Sequence, residues 1–446
     1  MKKLFGTDGI RGEAGVFPLE ETTIETIGRS LARQFKEKLN RAPRFITGRD
    51  TRESGEWIEK AFCRGANAGG AIFESADVMT TPGVAFLTKK YDFDAGIVIS
   101  ASHNPFQDNG IKIFSPSGKK IDEVTEREIE KDVYGEKNSE TVKCSVDSSK
   151  AAGYQNAYLE YLASEFANLS LQNLKMVVDC ANGAAYKLAP RLFETFGADV
   201  IAVNDHPNGQ NINQNCGSLH LENLQAKVIA EKADFGVAFD GDADRALFVD
   251  DKGNLVDGDA TLWAMANHLK AHNRLNNDTV VATVMSNLGL ETALRKKNIE
   301  LRRTAVGDKY VLQELLNSDS SIGGEQSGHI IFPFRSLVGD GMLTTLFLLE
   351  TMFENKKSLS EITRGFTRFP QVLENVRVRE KRPFEDVSEI SEAARKTEDI
   401  LGAKGRLLLR YSGTENLARV MIEGENQAEI ETHAKNLAAI IKTNLG

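Results

Sequence analysis

The chain is short of cysteine, with four in 446 residues (Cys63, Cys144, Cys180 and Cys216), far apart and without a C-x-x-C pair. Reduced thiols in a cytoplasmic protein are the expectation from that spacing. Long apolar runs are also missing. No stretch of about 18 apolar residues occurs, so no membrane span is expected. The opening "MKKLFGTDGIRG" has two lysines but no apolar h-region, so no signal peptide is expected. Positive charge is the third shortage. A formal net charge of −9 argues against a nucleic-acid partner, which calls for a basic face. An anionic substrate is compatible with it only where Lys and Arg gather locally. There is no Gly-Lys-Ser/Thr and no G-x-G-x-x-G, which weakens nucleotide-binding readings. No G-x-S-x-G elbow occurs either.

What is present is the composition of a soluble globular protein, 41% hydrophobic and 27% charged. The length suggests about three or four domains. Helical and strand signals alternate: "ETTIETIGRSLARQF" has helical spacing, "RFITGRD" reads as a strand, and "WIEKAFCRGANAGG" is helical again. Later "LKMVVDCANG", "ADVIAVN", "ADFGVAFD" and "DTVVATVMS" are β-branched runs separated by helical stretches such as "ATLWAMANHLKAH". This alternation predicts βαβ units, doubly wound α/β domains with mixed, largely parallel sheets. The end differs. "LLLRYSGTENLARVMIEG" reads as two strands around a polar loop, followed by a helical tail, a small α+β domain. The expected domains are 1–152, 153–253, 254–366 and 367–446. One internal echo supports duplicated units: "DAGIVIS" from Asp94 resembles "DFGVAFD" from Asp234, and each leads into a loop rich in functional side chains. Open α/β sheets hold ligands at such strand ends.

The strongest chemical signal is "FDGDADRALFVD". Asp240, Asp242 and Asp244 alternate, so in an extended loop their carboxylates converge on one side. Three unneutralised carboxylates repel, which calls for a hard cation among them, and Mg²⁺ suits such oxygens. An EF-hand is excluded, because counting from Asp240 puts Arg245 and Asp251 where Gly and Glu are needed. A D-x-D-x-Thr phosphatase loop is disfavoured by Asp244. The bland alternative is a solvated acidic turn.

A second signal is "GIVISASHNP", which delivers Ser102 at the end of an apolar run. His103 follows directly, and neighbours on an extended segment point to opposite sides, so a Ser–His nucleophile–base pair is not expected. A loop-capping hydroxyl is the alternative for Ser102. Asn109-Gly110 signals a tight turn, after which Lys112 faces away from the flanking isoleucines. In "GGEQSGHIIF", Glu325, Ser327 and His329 alternate. Carboxylate and hydroxyl suit vicinal sugar hydroxyls, and His329 can exchange a proton; a satisfied polar loop is the alternative. In "RYSGTENLAR", Arg410, Ser412, Gly413, Thr414 and Arg419 combine hydroxyls, backbone N–H groups near a glycine and arginines, a phosphate cradle.

These four segments, in this order and spacing, resemble the α-D-phosphohexomutase family over essentially the whole chain. Within it, "FGTDGIRG", "SASHNP", "CGS" at Cys216–Ser218 and above all "GGEQSGH" are similar to the bacterial amino-sugar members. Leu219 and Lys309 depart from that pattern and bear on fine substrate contacts. The resemblance implies three α/β domains and one smaller domain around a central cleft. It implies Mg²⁺-dependent interconversion of glucosamine 6-phosphate and glucosamine 1-phosphate for cell-wall precursor synthesis, with glucosamine or glucose 1,6-bisphosphate as primer. Ser102 then carries the phosphoryl group and, with Asp240, Asp242 and Asp244, ligates the metal. Arg11, Lys112 and His329 match basic groups at the transferring phosphoryl. Arg245 supports the metal loop, Glu325 and Ser327 contact the sugar, and Arg410, Ser412, Gly413, Thr414 and Arg419 hold the other phosphate. The expected partner is a small sugar phosphate, with neither nucleic acid nor membrane; whether the chain forms a homodimer is left open. A mutase for glucose or mannose phosphates and a non-enzymatic metal-binding protein are the competing classes.

Overall fold

The computed structural model describes residues 3–135, 144–412 and 416–446. The chain divides into two compact units, Met1–Met285 with Ile299–Arg364, and Ser286–Asn298 with Gly365–Gly446. The first unit contains three sheets, each with a central apolar strand buried along its whole length: Ala95–Ile99, Phe235–Phe239 and Thr279–Thr283. Such runs favour strands covered by helices on either side.

In the first sheet, β1 (Ile10–Glu13), β2 (Arg44–Arg49), β3 (Ile72–Val78), β4 (Ala95–Ile99) and β5 (Asp108–Phe114) lie in the order β1-β5-β4-β2-β3. β3, β2 and β4 run parallel, whereas β5 turns back antiparallel to β4. The second sheet repeats this plan. β6 (Lys175–Asp179), β7 (Asp199–Val203), β8 (Phe235–Phe239), β9 (Ala246–Asp250) and β10 (Leu255–Val256) lie in the order β10-β9-β8-β6-β7, with β9 antiparallel to β8. In the third sheet, β11 (Thr279–Thr283), β12 (Glu300–Thr304), β13 (Gly323–Gly324) and β14 (Ile330–Ile331) give β12-β11-β13-β14, again with only the last strand antiparallel. The segments of the internal echo are thus β4 and β8, equivalent strands of two like sheets.

The second unit holds an antiparallel sheet, β15 (Gln371–Arg377), β16 (Gly405–Tyr411) and β17 (Leu417–Gly424), in the order β15-β17-β16. Helices Ser388–Leu401 and Gln427–Leu445 pack on it around Val420, Ile422, Leu437 and Ile441. The segment from Ser286 joins through Glu423, which accepts hydrogen bonds from Asn287 Nδ2 at 3.1 Å and Leu288 N at 3.2 Å.

Two expectations are corrected. Asn109-Gly110 is not a turn but lies inside β5, opposite Gly12 and Arg11 of β1. The strand passes so close to its neighbours that a Cβ at Gly110 would stand 2.5 Å from the Ser100 carbonyl oxygen. Nor are all four cysteines thiols: Cys63 and Cys144, 81 positions apart in sequence, form a disulfide. Sequence distance said nothing of spatial distance, and the fold brings their Cα atoms to 6.2 Å. Cys180 and Cys216 are free and buried. Among the described residues, no helix is long and apolar enough to cross a membrane.

Candidate active site

The three like sheets place three loops, each between a parallel strand (β4, β8 or β13) and the antiparallel strand that follows it (β5, β9 or β14). The first, after β4, carries Ser102. Its backbone adopts a left-handed conformation, φ 54°, sparsely populated for any residue but Gly, Asn or Asp and held only where surroundings over-determine it. The surroundings are visible. Arg52, fully buried, donates to the carbonyl oxygens of Ser102 at 3.0 Å, Asn104 at 2.9 Å and Asp108 at 3.0 Å. Asn213 Nδ2 donates to the Ser102 and Asn104 carbonyl oxygens at 2.8 and 2.9 Å. Ser100 Oγ accepts from Ser102 N at 2.9 Å and donates to Asp50 at 2.6 Å.

The second loop, after β8, carries the three aspartates, and it meets the first. Ser102 Oγ donates to Asp240 Oδ2 at 2.5 Å. Gly241 makes that approach possible, since a Cβ there would stand 2.5 Å from the Ser102 carbonyl oxygen. Asp240, Asp242 and Asp244 are buried, each offering a carboxylate oxygen within 4.8 Å of the others. Asp242 Oδ1 and Asp244 Oδ1 are buried without a hydrogen-bond partner. Burial, then the charges of Asp244 and Asp242, push the Asp240 carboxyl well above the usual carboxylate range. Orphaned oxygens and a carboxylate this costly to ionise are what a hard cation relieves. The donor set therefore fits Mg²⁺.

Lys112 Nζ, 1% exposed, sits 2.8 Å from Asp242, 3.0 Å from Asp244 and 3.0 Å from Asp8. Burial alone would lower its pKa, but Asp242, Asp244 and Asp8 outweigh it and hold the ammonium well above its ordinary value. A lysine so held keeps its proton, which disfavours Lys112 as a base. Burial likewise would raise the Asp244 carboxyl, yet Lys112 and His329 bring it down to about 2.

The expectation about His103 is corrected. Because Ser102 is left-handed, the two neighbours do not diverge: Ser102 Oγ lies 3.2 Å from His103 Nδ1. Burial, then Arg245 and Arg11, depress the His103 pKa to about 4, so the ring is neutral near pH 7.

The third loop, after β13, is a tight turn rather than an extended segment. Glu325 N donates to His329 O and Gly328 N to Glu325 O, both at 3.0 Å, with Gly328 at φ 87°. Glu325 and His329 still face one cavity of about 360 Å³, which Asp8, Arg11, Asp244, Arg245 and Asp308 also line. Ser327 does not line it; its Oγ is buried without a partner. His329 is 4% exposed, with Nε2 3.9 Å from Asp244 and 4.0 Å from Asp308. Arg11 pairs with Asp8, and Arg245 N donates to Asp240 Oδ1 at 3.1 Å.

Several participants escaped the sequence reading. Asp8 is held by Lys112, Lys120 and Arg11, and Lys120 Nζ also bridges to Asp308 at 2.6 Å. Asp8 carried a signal in its place beside Arg11 within "GTDGIRG"; Lys120 and Asp308 carried none. Thr81 N donates to the Asp242 carbonyl oxygen at 3.0 Å, and its hydroxyl donates to the Asp242 carboxylate.

The fourth segment belongs to the second unit. Arg410 and Arg419 are directly opposed on β16 and β17. Burial and then Arg419 lower the Arg410 pKa. Like charges opposed across strands repel, a cost that an anion removes. Ser412 is 4% exposed, and its carbonyl oxygen accepts from Lys381 Nζ at 2.7 Å. Gly413 and Thr414 lie outside the described residues.

A buried acidic loop against a serine, with arginines and lysines gathered in a protein of net negative charge, is the equipment of phosphoryl transfer. The chain matches four domain families in order: phosphoglucomutase/phosphomannomutase alpha/beta/alpha domain I over 2–140, domain II over 156–253, domain III over 257–369, and the C-terminal domain over 373–440. It belongs to the phosphoglucomutase/phosphomannomutase family, the α-D-phosphohexomutases. Within that family its relatives include curated phosphoglucosamine mutases. It is 46% identical over 446 residues to that of Solibacter usitatus, covering 100% of this chain and 99% of the relative. It is also 46% identical over 453 residues to that of Caldicellulosiruptor bescii, covering all of both. Solved structures share the fold: a phosphoglucomutase/phosphomannomutase family protein from Burkholderia thailandensis has TM-score 0.81 at 22% identity, over 99% of this chain and 98% of that one. An Aspergillus fumigatus N-acetylphosphoglucosamine mutase, in complex with GlcNAc-6P and magnesium, has TM-score 0.69 at 18% identity, over 99% and 95%.

Proposed function

We propose that this enzyme interconverts glucosamine 6-phosphate and glucosamine 1-phosphate through a phosphorylated Ser102 and a 1,6-bisphosphate intermediate. The observation that carries the reading is the meeting of Ser102 with the Asp240–Asp244 loop, in a chain collinear with phosphoglucosamine mutases.

A serine hydroxyl is a weak nucleophile, but a phosphoserine already holds the group to be moved. Phosphorylation adds a charge of about −1.5 to −2 that needs cations beside it. Asp240, Asp242, Asp244 and an oxygen on Ser102 would hold Mg²⁺, which supplies charge stabilisation at the phosphoryl oxygens when bound. The chain's own residues do the rest. Lys112, kept protonated by its carboxylates, is a fixed positive charge beside the transfer path. Arg11 and Arg245 face the same cavity and orient the phosphoryl group. His329 takes the proton of the attacking sugar hydroxyl, while the P–O bond to Ser102 breaks and the new P–O bond forms. The serine oxygen regains its proton from solvent, and His103, neutral near pH 7, positions that oxygen by the 3.2 Å contact at Nδ1. Glu325, whose Oε1 accepts from Gly307 N at 3.2 Å, is fixed to receive sugar hydroxyls. Arg410, Ser412, Gly413, Thr414 and Arg419 hold the phosphate that is not reacting. The bisphosphate turns around and returns its other phosphoryl to Ser102.

The bisphosphate primer, glucosamine or glucose 1,6-bisphosphate, loads Ser102 in this reading. An Aspergillus fumigatus relative is described in complex with glucose 1,6-bisphosphate, which supports that choice. The cytoplasm is the compartment assigned, where the product feeds cell-wall precursors; the Cys63–Cys144 disulfide is the feature that stands against it. The test is a coupled assay with Mg²⁺ and a bisphosphate primer on the glucosamine, glucose and mannose 6-phosphates. Glucosamine 6-phosphate turns over fastest if the reading holds, and equal rates on all three refute its substrate. Ser102→Ala abolishes turnover with the fold intact; near-normal turnover refutes the phosphoserine.

A further inference from the structure

Outside this site, two histidines and a glutamate converge in the first unit. His268 lies in the last turn of helix Gly258–Ala271, and His272 is that helix's C-terminal capping residue. Four positions apart on a helix, they share one face. Glu354 comes from the last turn of helix Gly341–Asn355. Glu354 Oε2 lies 3.4 Å from His268 Nε2 and 3.6 Å from His272 Nε2. His268 is 4% exposed, yet its Nε2 makes no hydrogen bond. A histidine–glutamate hydrogen bond would satisfy that atom, and none is formed.

The distances have another meaning. A zinc-class ion bonds imidazole nitrogen and carboxylate oxygen at about 2.0–2.2 Å with tetrahedral angles, which places ligand atoms about 3.3–3.6 Å apart. Both observed separations fall there. One ring is also oriented from behind. His272 Nδ1 is 2.8 Å from the His268 carbonyl oxygen, which holds the proton on Nδ1 and leaves the Nε2 lone pair facing Glu354. Asn355 Nδ2 donates to the Thr351 carbonyl oxygen at 2.8 Å and lies 3.3 Å from His268 Nδ1, a contact that gives way when His268 binds an ion through Nε2.

We propose that His268, His272 and Glu354 bind a transition-metal dication of the zinc class, with solvent as the fourth ligand. Two imidazoles and one carboxylate favour zinc, cobalt or nickel over magnesium, so this site and the acidic loop select different ions. Its place in the fold indicates a structural role. The opposite ends of the same two helices support the active site: Gly258 N donates to the Gln326 carbonyl oxygen of the sugar turn, and Gly341 N to the Ala243 carbonyl oxygen of the acidic loop, both at 3.0 Å. An ion at the far ends clips the two helices together.

The test titrates the full chain with Co²⁺, with Mg²⁺ in excess to occupy the acidic loop. Wild type shows the intense visible bands of tetrahedral, nitrogen-ligated cobalt at one equivalent, which Zn²⁺ displaces. His272→Ala, at a half-exposed position that the fold tolerates, weakens binding at least about tenfold. Asp242→Asn leaves the spectrum unchanged, and Zn²⁺ raises the melting temperature of wild type but not of His272→Ala. Octahedral bands only, equal binding by His272→Ala, or loss in Asp242→Asn instead, overturns the proposal.

Discussion

Replacing Lys112 by Met removes one ammonium from among three carboxylates without opening a large cavity. At about 3 Å each ion pair is worth about 5 kcal/mol at an effective dielectric of about 20. Burial of the ammonium takes back most of that sum, so the net effect is that of a buried ion pair broken on one side, about 3–5 kcal/mol. The loss falls on the magnesium-free protein, where Lys112 is the cation touching Asp242 and Asp244. Magnesium bound by those same carboxylates compensates for the missing charge. Melting curves of wild type and Lys112→Met, each in chelator and in excess Mg²⁺, therefore differ strongly in chelator and much less in Mg²⁺. Turnover falls in both conditions, because the fixed charge beside the phosphoryl path is gone. Equal melting temperatures in chelator would refute the account of Lys112 as counter-charge. An equal Mg²⁺-induced rise in both proteins would refute the claim that lysine and metal serve the same carboxylates.

Gly241→Ala places a methyl 2.5 Å from the Ser102 carbonyl oxygen and must part the serine and acidic loops. Stability drops by about 1–3 kcal/mol, and turnover drops more than melting; unchanged turnover contradicts the contact. Asp340, which caps helix Gly341–Asn355 and accepts from Tyr158 at 2.7 Å, is pushed by burial up to about 6. Since the native state holds this proton more tightly than the unfolded chain, its contribution to stability is fully present below about pH 4 and lost as pH rises through about 6, amounting to about 3 kcal/mol. Asp340→Asn keeps an acceptor and removes the titration, so the stability difference between variant and wild type widens in the variant's favour from pH 4 to 6; a constant difference refutes it. Thiol titration of the unfolded, unreduced chain counts two thiols, Cys180 and Cys216, and four after reduction. Four before reduction would dissolve the Cys63–Cys144 bond and restore the expectation of reduced cysteines.

Much of the first unit could be read from sequence because its strands announce themselves. β4 and β8 are apolar runs that end abruptly in serine or aspartate, and that break is visible without coordinates. The acidic loop was legible for the same reason, since three carboxylates within five residues repel one another wherever they fold. What failed was geometry inferred from extended backbone. Ser102 turns left-handed and brings His103 beside its hydroxyl, whereas Gly328 folds residues 325–329 into a turn that leaves Ser327 out of the cavity. Alternation of side chains is a rule for strands, and these residues stand just beyond strand ends. Lys120 and Asp308 were out of reach for another reason: a single charge carries no pattern, and only the fold brings it to Asp8.

One sheet plan, used three times, explains how such distant segments came to share one site. In each sheet the strand before the loop (β4, β8 or β13) lies parallel beside β2, β6 or β11, and the next strand returns antiparallel from its carboxyl end, so the intervening loop emerges where an open α/β sheet presents ligands. The three loops carry different chemistry on that common scaffold: a serine, three aspartates, and a glutamate with a histidine. None is sufficient alone. A serine without cations cannot bear a phosphoryl charge, and the aspartates without Lys112 or a metal cannot all ionise. Division of labour among repeated units follows, because each loop can change its side chains without disturbing the strands that aim it. On the proposed function, the turn after β13 is the part that contacts the sugar, and exchanging residues 325–329 is expected to alter the ranking of sugar phosphates in the coupled assay before it alters the phosphoryl step.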